Sequence, residues 1–419
     1  MKPVRFHQFR QLRRAAVCAT VLLAGLSVHA AETPRSGLAT AVEQAWRLNP
    51  QAAGLDAREA EARAAQDVAA GLTPEPGSVS IGNLSDQFNR NQGKQEYEVE
   101  LAVPLWLPGQ KAAREAEATS RIDEAVARRT AVRLEVSGEL REAWWALAAA
   151  RGAKVLASRR VETARALETD VMRRYKVGEL SRIDANLALT ETYVANAELV
   201  EAEANQLQAE QAVQALTGSP APKNLDEESP TTRPLADETG DSAASHPLLA
   251  VTAAAARSAR ARVKVADESR RAAPELTLRV VRERDDFADS YSNNVGIKLK
   301  IPFSSGSQVR RETSAAQAEA NQSDADLLRT HTRVRLDAER AQRNLQSAER
   351  QFAMAQERRQ LSAENLRLAE KAFALGESDL ATLLRIRSAA FDADAFFDRQ
   401  RVARAAAVSR LNQALGVLP

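Results

Sequence analysis

Glu96, Glu98 and Glu100 stand at every second position of one segment, and Arg279, Lys298 and Lys300 lie on two segments of the same alternating character. On an extended strand, residues two apart project from one face. A row of carboxylates there would line water and attract cations, while the three basic residues would offset it. Ion preference therefore cannot be read from strand charge alone. Two glycine-centred clusters form a second set: Gly178, Glu179, Ser181 and Asp184, and Gly376, Glu377, Ser378 and Asp379. Glycine followed by small and acidic residues ends one helix and starts another. Bond-making chemistry has no such signature. The sequence lacks G-x-S-x-G, H-E-x-x-H and P-loop patterns, and after residue 30 only His246 and His331 remain as histidines. Two distant histidines make a poor metal site, so neither a catalytic centre nor a cofactor is expected.

The start of the chain reads as an export signal. Lys2, Arg5, Arg10, Arg13 and Arg14 precede the apolar run Ala15 to Leu26, and Ser27-Val28-His29-Ala30 offers small residues before a cut after Ala30. Arg13-Arg14 reads as n-region charge rather than a twin-arginine signal. The apolar run is shorter than the roughly 20 residues of a membrane anchor. Cys18, the single cysteine, lies inside this segment, so the processed chain is expected to carry no thiol, disulfide or lipid. Removing residues 1–30 takes five basic residues from 58 and leaves 53 against 56 acidic ones. That balance, with aromatic residues at 4%, argues against a nucleic-acid partner.

The elements that must position the two clusters come in duplicate. Asn49-Pro50 returns as His246-Pro247, and Val103-Pro104-Leu105 as Ile301-Pro302-Phe303. Tyr175-Lys176-Val177-Gly178-Glu179 returns as Phe373-Ala374-Leu375-Gly376-Glu377, and Ala215-Leu216-Thr217-Gly218 as Ala414-Leu415-Gly416. The proline and glycine offsets are 197, 198, 198 and 198 residues. The first repeat is assigned to 31–218 and the second to 246–419. Between them 219–245, with Pro220, Pro222, Pro230 and Pro234 among polar residues, reads as a linker.

Each repeat opens with an Ala-rich helical segment, about 38–71 and 247–272. Two strands follow, about 77–84 and 96–104 in the first repeat, 275–282 and 295–303 in the second. Tyr97, Val99, Leu101 and Val103 alternate with the glutamates; Val295, Ile297, Leu299 and Ile301 alternate with Gly296, Lys298 and Lys300. With no other sheet to cover, the apolar face suits lipid and the charged face a water-filled lumen. Trp106 and Phe303 lie just past the strands, where an interfacial aromatic girdle would sit. Long helices come next, about 110–176 and 308–375. Their heptad seams run Val136, Leu140, Ala143, Leu147, Ala150 and Leu327, His331, Val334, Ala338, Ala341, Leu345. The first would extend roughly 100 Å at ~1.5 Å per residue. Trp144-Trp145, midway along it, reads as packing. Return helices occupy 182–216 and 380–414.

Four strands cannot close a membrane barrel, and open edges are not tolerated in lipid. The chain is therefore expected to be mainly α with a small β part, each protomer giving four strands to a shared barrel. In these features the sequence resembles the TolC-type outer-membrane efflux channels over its whole length after the signal. The resemblance implies a homotrimer in the outer membrane of a Gram-negative bacterium, with a 12-stranded barrel continued by an α-helical coiled-coil tunnel across the periplasm. It further implies a periplasmic adaptor and an inner-membrane pump of the resistance-nodulation-division type as partners, alongside outer-membrane lipid. It places the two glycine clusters at the adaptor-facing tip and gate. Asp184 matches an acidic position of the family, whereas Thr382 and Arg385 in the second repeat depart from it. The Asn49-Pro50 and His246-Pro247 starts and the Ile301-Pro302-Phe303 edge are most similar to the cobalt–zinc–cadmium (CzcC-like) branch, which implies heavy-metal cations as cargo. Drug efflux and type I protein secretion are the alternatives within the family. A periplasmic adaptor would carry one hairpin rather than a duplicated unit, and a secreted enzyme has no motif in its support.

Overall fold

The computed structural model describes residues 37–231, 246–303 and 306–419. The export signal and the second half of the linker lie outside them. In chain order the elements are α1 (Gly37–Leu48), α2 (Pro50–Ala69), β1 (Ser78–Ser85), β2 (Gln95–Pro104), α3 (Gln110–Lys176), α4 (Arg182–Thr217), α5 (Pro247–Glu268), β3 (Glu275–Arg284), β4 (Ser292–Lys300), α6 (Gly306–Ala374) and α7 (Leu380–Ala414).

The helical segment expected over 38–71 is two helices. Pro50 has no N–H to continue α1 and instead takes the first turn of α2, where that donor is not needed. The Asn49 side chain caps α2 by accepting from the Gln51 N–H at 2.8 Å. In the second repeat His246 does the same work, its Nδ1 accepting from the Leu248 N–H at 3.2 Å ahead of Pro247. The duplicated Asx/His-Pro landmark is thus an N-cap followed by its proline.

The four strands form one antiparallel sheet in the order β1-β2-β3-β4, so the two hairpins join edge to edge. Strand β4 runs 292–300 rather than 295–303. Ile301-Pro302-Phe303 follows it, as a proline without a ladder donor favours. Two rows of helices continue from the sheet. Near it α2, α3, α5 and α6 pack in that order; further away the order is α4, α3, α7, α6. Both long helices pass through both rows, which explains their 67 and 69 residues.

Small residues set the spacing of these rows. Val136, Leu140 and Leu147 of α3 are buried, as are Val334, Ala338, Ala341 and Leu345 of α6. Two glycines interrupt α3 where α7 crosses it. A Cβ on Gly138 would lie 2.8 Å from Nε2 of Gln413, and one on Gly152 would collide with the Asp398 carboxylate. The space is used: Gln413 passes over Gly138 and donates to the Leu134 carbonyl at 2.8 Å.

The segment 219–231 forms no helix or strand, yet it is bound along its length. Arg141, 2% exposed inside α3, holds Glu228 through two contacts of 2.7 and 3.0 Å, the Gln413 side chain at 2.5 Å and the Val417 carbonyl at 3.0 Å. Arg151 takes the carbonyls of Pro222 and Lys223 at 2.6 and 2.9 Å. Trp144, fully buried, donates to the Asp226 carbonyl at 3.3 Å, while Trp145 donates to Ser409 at 2.7 Å. The tryptophan pair therefore anchors this strap and α7 to α3, with Leu38 and Val42 of α1 in the same cluster.

Gly152→Leu is expected to lower the thermal unfolding midpoint, because the α3–α7 crossing must open. Gly54, also inside a helix, has nothing within 4 Å of its missing Cβ. Gly54→Ala should raise stability by about 0.5–1 kcal/mol. Circular dichroism melts of the two variants check the contrast.

Candidate functional site

The register of the sheet sorts its side chains into two faces. One carries three apolar rows: Val79, Leu101, Leu278 and Ile297; Ile81, Val99, Val280 and Val295; Val103, Leu276 and Leu299. A row of Asn83, Tyr97, Arg282 and Asn293 closes this face at the hairpin-loop end. Eleven of these apolar and aromatic side chains are exposed, from 40% at Leu276 to 82% at Ile81. At about 1.5–3 kcal/mol per fully buried side chain, leaving this much in water costs on the order of 10 kcal/mol. That is comparable with the whole stability of an ordinary domain. The face requires an apolar cover, and none of the described elements supplies one.

The opposite face carries the charge. Glu96, Glu98 and Glu100 lie here with Arg279, Lys298 and Lys300. Arg279 reaches Glu98 at 2.5 Å and Glu96 at 3.1 Å, and Lys298 reaches Glu100 at 3.6 Å. Lys300 stands opposite Glu275. The six residues are thus brought onto one surface, and most of their charge is neutralised in cross-strand pairs. Exposed pairs of this kind add little to stability; their effect is to leave a polar surface without one dominant sign.

Trp106 and Phe303 are not equivalents. With the repeat offset of 198, Phe303 answers to Leu105. Phe303 is 96% exposed past β4. Trp106 is half-buried, its Nε1 donating to the Gly71 carbonyl at 3.1 Å beyond the end of α2, with Arg114 over its ring at 5.8 Å. Its indole secures the passage from sheet to helices.

The other cluster lies at the far ends of the long helices. Gly178 and Gly376 adopt φ of +81° and +75°, the left-handed conformation that closes a helix. In each, two amides turn back onto the last carbonyls: Gly178 to Tyr175 at 3.0 Å and Glu179 to Arg174 at 2.9 Å; Gly376 to Phe373 at 3.1 Å and Glu377 to Ala372 at 2.9 Å. The return helices then start on caps at matching repeat positions. Ser181 accepts from the Asp184 N–H at 3.2 Å, and Asp184 accepts in return from the Ser181 N–H at 3.0 Å. In the second repeat Asp379 is the cap, accepting from the Thr382 N–H at 2.7 Å. Thr382 at the Asp184 position is therefore a change in how the cap is built: serine with aspartate in one repeat, aspartate with threonine in the other. Ser378 precedes the cap, and Glu179 and Glu377 are exposed.

The two turns sit together. Leu167 and Val171 of α3, Ala188 of α4, Phe373 of α6, and Leu380 and Leu383 of α7 form one buried cluster just inside them. Arg174 lies over the Phe373 ring at 5.3 Å and ties the first turn to the second. Neither tip glycine has any atom within 4 Å of its missing Cβ, so φ rather than space is what requires glycine there. Among the described residues no group of three His, Cys, Asp or Glu side chains could hold a metal ion, and no helix is long and apolar enough to cross a membrane.

The Thr382 hydroxyl and backbone amide hold the Asp379 carboxyl below the usual aspartate range. A lowered folded-state pKa means the cap stabilises α7 above the unfolded aspartate's range and is lost as pH falls through the lowered value. Amide exchange at Thr382 should accelerate on acidification below that range. Asp379→Asn should flatten this dependence, because an amide oxygen caps without titrating. Ser181→Ala should loosen the start of α4 by about 1 kcal/mol at any pH.

The family model described as "Outer membrane efflux protein" matches residues 240–417, which cover the second repeat. The cobalt-zinc-cadmium resistance protein CzcC of Cupriavidus metallidurans is 27% identical over 229 residues, 53% of this chain. The aligned part spans about half of that relative's length, 54%. Among solved structures, the channel CusC superposes with a TM-score of 0.74 at 15% identity, covering 91% of this chain and 92% of the other. VceC of Vibrio cholerae gives 0.73 at 16% identity over 91% and 96%, and CmeC of Campylobacter jejuni 0.72 at 15% over 90% and 85%. These likenesses establish a shared fold that takes in both repeats, and the second repeat is similar to the outer membrane efflux protein family.

Proposed function

We propose that this chain is the outer-membrane channel subunit of a tripartite efflux system. Three copies join their sheets into a 12-stranded barrel, and their helices continue it as a tunnel through the periplasm. The channel is a passive exit duct, fed by an inner-membrane pump of the resistance-nodulation-division type through a periplasmic adaptor. One observation carries the reading: a four-stranded sheet with one exposed apolar face, one charged face and two open edges. Lipid covers the first face, water fills the space inside the second, and neighbouring copies take the edges.

Gly178, Glu179, Ser181 and Asp184, with Gly376, Glu377, Ser378 and Asp379, form the adaptor-facing mouth in this reading. Glu96, Glu98, Glu100, Arg279, Lys298 and Lys300 line the barrel. The paired lumenal charges give the duct no strong preference of its own, so cargo is chosen upstream. The likeness to a cobalt-zinc-cadmium resistance protein supports heavy-metal cations as that cargo.

Cells deleted for the gene should become sensitive to cobalt, zinc or cadmium and recover on complementation. Sensitivity to organic drugs alone, or loss of a secreted protein alone, would move the cargo assignment to another branch. Gly178→Val and Gly376→Val should leave trimer levels normal, since the turns lie roughly 100 Å of helix from the strands. Both should abolish resistance, because valine resists φ > 0. Full resistance in both variants would remove the turns from the working parts of the channel.

A further inference from the structure

The apolar face of the sheet ends in charge that has no counter-charge. Arg282 lies on that face, two residues beyond Val280 on β3, and Arg284 follows on the same side opposite Gln95. Both guanidinium groups lie against one ring: Arg282 is 4.8 Å and Arg284 5.0 Å from the centre of Tyr291. On the charged face Arg279 is paired with Glu96 and Glu98. Among the described residues Arg282 and Arg284 form no ion pair, and the exposed loop carboxylates Asp285 and Asp289 stand beyond 4.0 Å of both.

The pair is built in place. Arg284 donates to the Gly93 carbonyl at 3.0 Å and also lies over the Phe287 ring at 5.4 Å. The two hairpin loops meet here, the Phe287 N–H donating to the Gln92 carbonyl at 3.1 Å. A Cβ on Gly93 would come within 2.4 Å of the Phe287 nitrogen, so the junction admits glycine alone. The Tyr291 hydroxyl donates to the Gln95 side chain and fixes the ring.

The level of the pair follows from the other end of the sheet. None of the described helices is apolar enough to enter a membrane, so one boundary lies where the strands pass into them. Exposed Ile301 and Phe303 carry the apolar series of β4 to that boundary. Asn293 shares the row of Arg282. At about 3.3 Å per residue and a tilt of about 40°, the chain from Phe303 to Asn293 covers about 25 Å of height, the apolar band of an outer-membrane barrel. Arg282 therefore stands at the far boundary, where an arginine costs about 0–1 kcal/mol rather than the 2–4 of the midplane.

We infer that Arg282 and Arg284, stacked on Tyr291, bind the phosphate of a lipid headgroup in the leaflet beyond the hairpin loops. Guanidinium forks match phosphate oxygens, and two of them side by side suit a phosphomonoester with its double charge. The occupant is a lipid rather than a soluble phosphate because the donors continue directly from the rows of Val280, Val99 and Ile81. Acyl chains lie along those rows while the headgroup meets the arginines. The inference rests on the proposed barrel and adds to it a lipid chemistry: phosphorylated glycolipid of the lipid A type.

Retention of radiolabelled bisphosphorylated lipid A by the immobilised, detergent-extracted protein tests it. Arg282→Gln with Arg284→Gln should lower retention about tenfold, and Arg282→Gln alone, which removes no hydrogen bond of the fold, about threefold. Arg310→Gln with Arg311→Gln, an exposed basic pair at the start of α6, should leave it unchanged. Lipid A stripped of its phosphates should bind the native chain no better than the double variant, and equimolar inorganic phosphate should displace nothing. Full retention by the Arg282 and Arg284 variants, equal loss at Arg310 and Arg311, or release by inorganic phosphate would overturn the site. With trimers by size-exclusion chromatography the barrel would then still stand; particles of one chain would overturn both.

Discussion

The structure depends on an unmet requirement of its sheet. Among the described residues, the outer edges of β1 and β4 have no strand partner, and three rows of Val, Leu and Ile face outward from the same four strands. In water either feature invites aggregation; in lipid the open edges are prohibited outright. In the proposed trimer, closure with other copies would satisfy the edges and hydrocarbon the face. In that proposed assembly the helices would continue as a row in step with the strands, and the two repeats would present complementary sides.

Long helices in a row need a narrow, regular spacing, which alanine-rich seams provide and a large-residue core would not. Where α3 and α7 cross, even alanine is too large, and Gly138 and Gly152 admit the side chains of Gln413 and Asp398. A mid-helix glycine costs roughly 0.5–1 kcal/mol relative to alanine, offset here by the bonds that pass over it. The strap of 219–231 exploits the same crossing, with Arg141 satisfying Glu228, Gln413 and Val417 at once. A buried guanidinium with this many partners avoids the penalty of an unpaired charge.

Much of this was legible in the sequence because it is periodic. The alternation around Val99 and Ile297 marks the strands, and the heptad steps through Leu140 and Val334 mark the long helices. The turns were visible in Gly178 and Gly376, since a glycine at the end of a helical pattern has few other uses. What the sequence does not display depends on contacts between distant segments. Nothing local distinguishes Arg141 from the many solvent-facing arginines, and the proline-rich composition of 219–231 reads as a linker whether or not arginines bind it. The break at Asn49-Pro50 is readable as a cap followed by its proline, the same signal that opens α5 at His246-Pro247. Gly138 and Gly152 were the one available sign of the α3–α7 crossing, being glycines where a helix favours alanine. A tryptophan just after a strand suggests a girdle residue, and the bond from the Trp106 N–H to Gly71 is not visible in the sequence.

The caps at the two turns show how a duplication keeps geometry while exchanging chemistry. Ser181 with Asp184 and Asp379 with Thr382 start α4 and α7 in the same way, though the carboxylate has moved from the third helical position to the cap itself. The central claim is that other copies of this same chain complete the sheet. Native mass spectrometry of the protein extracted in detergent from outer membranes tests it most directly. The account predicts particles of three chains and no partner of a different sequence; a stable single-chain particle with its sheet edges open would contradict it.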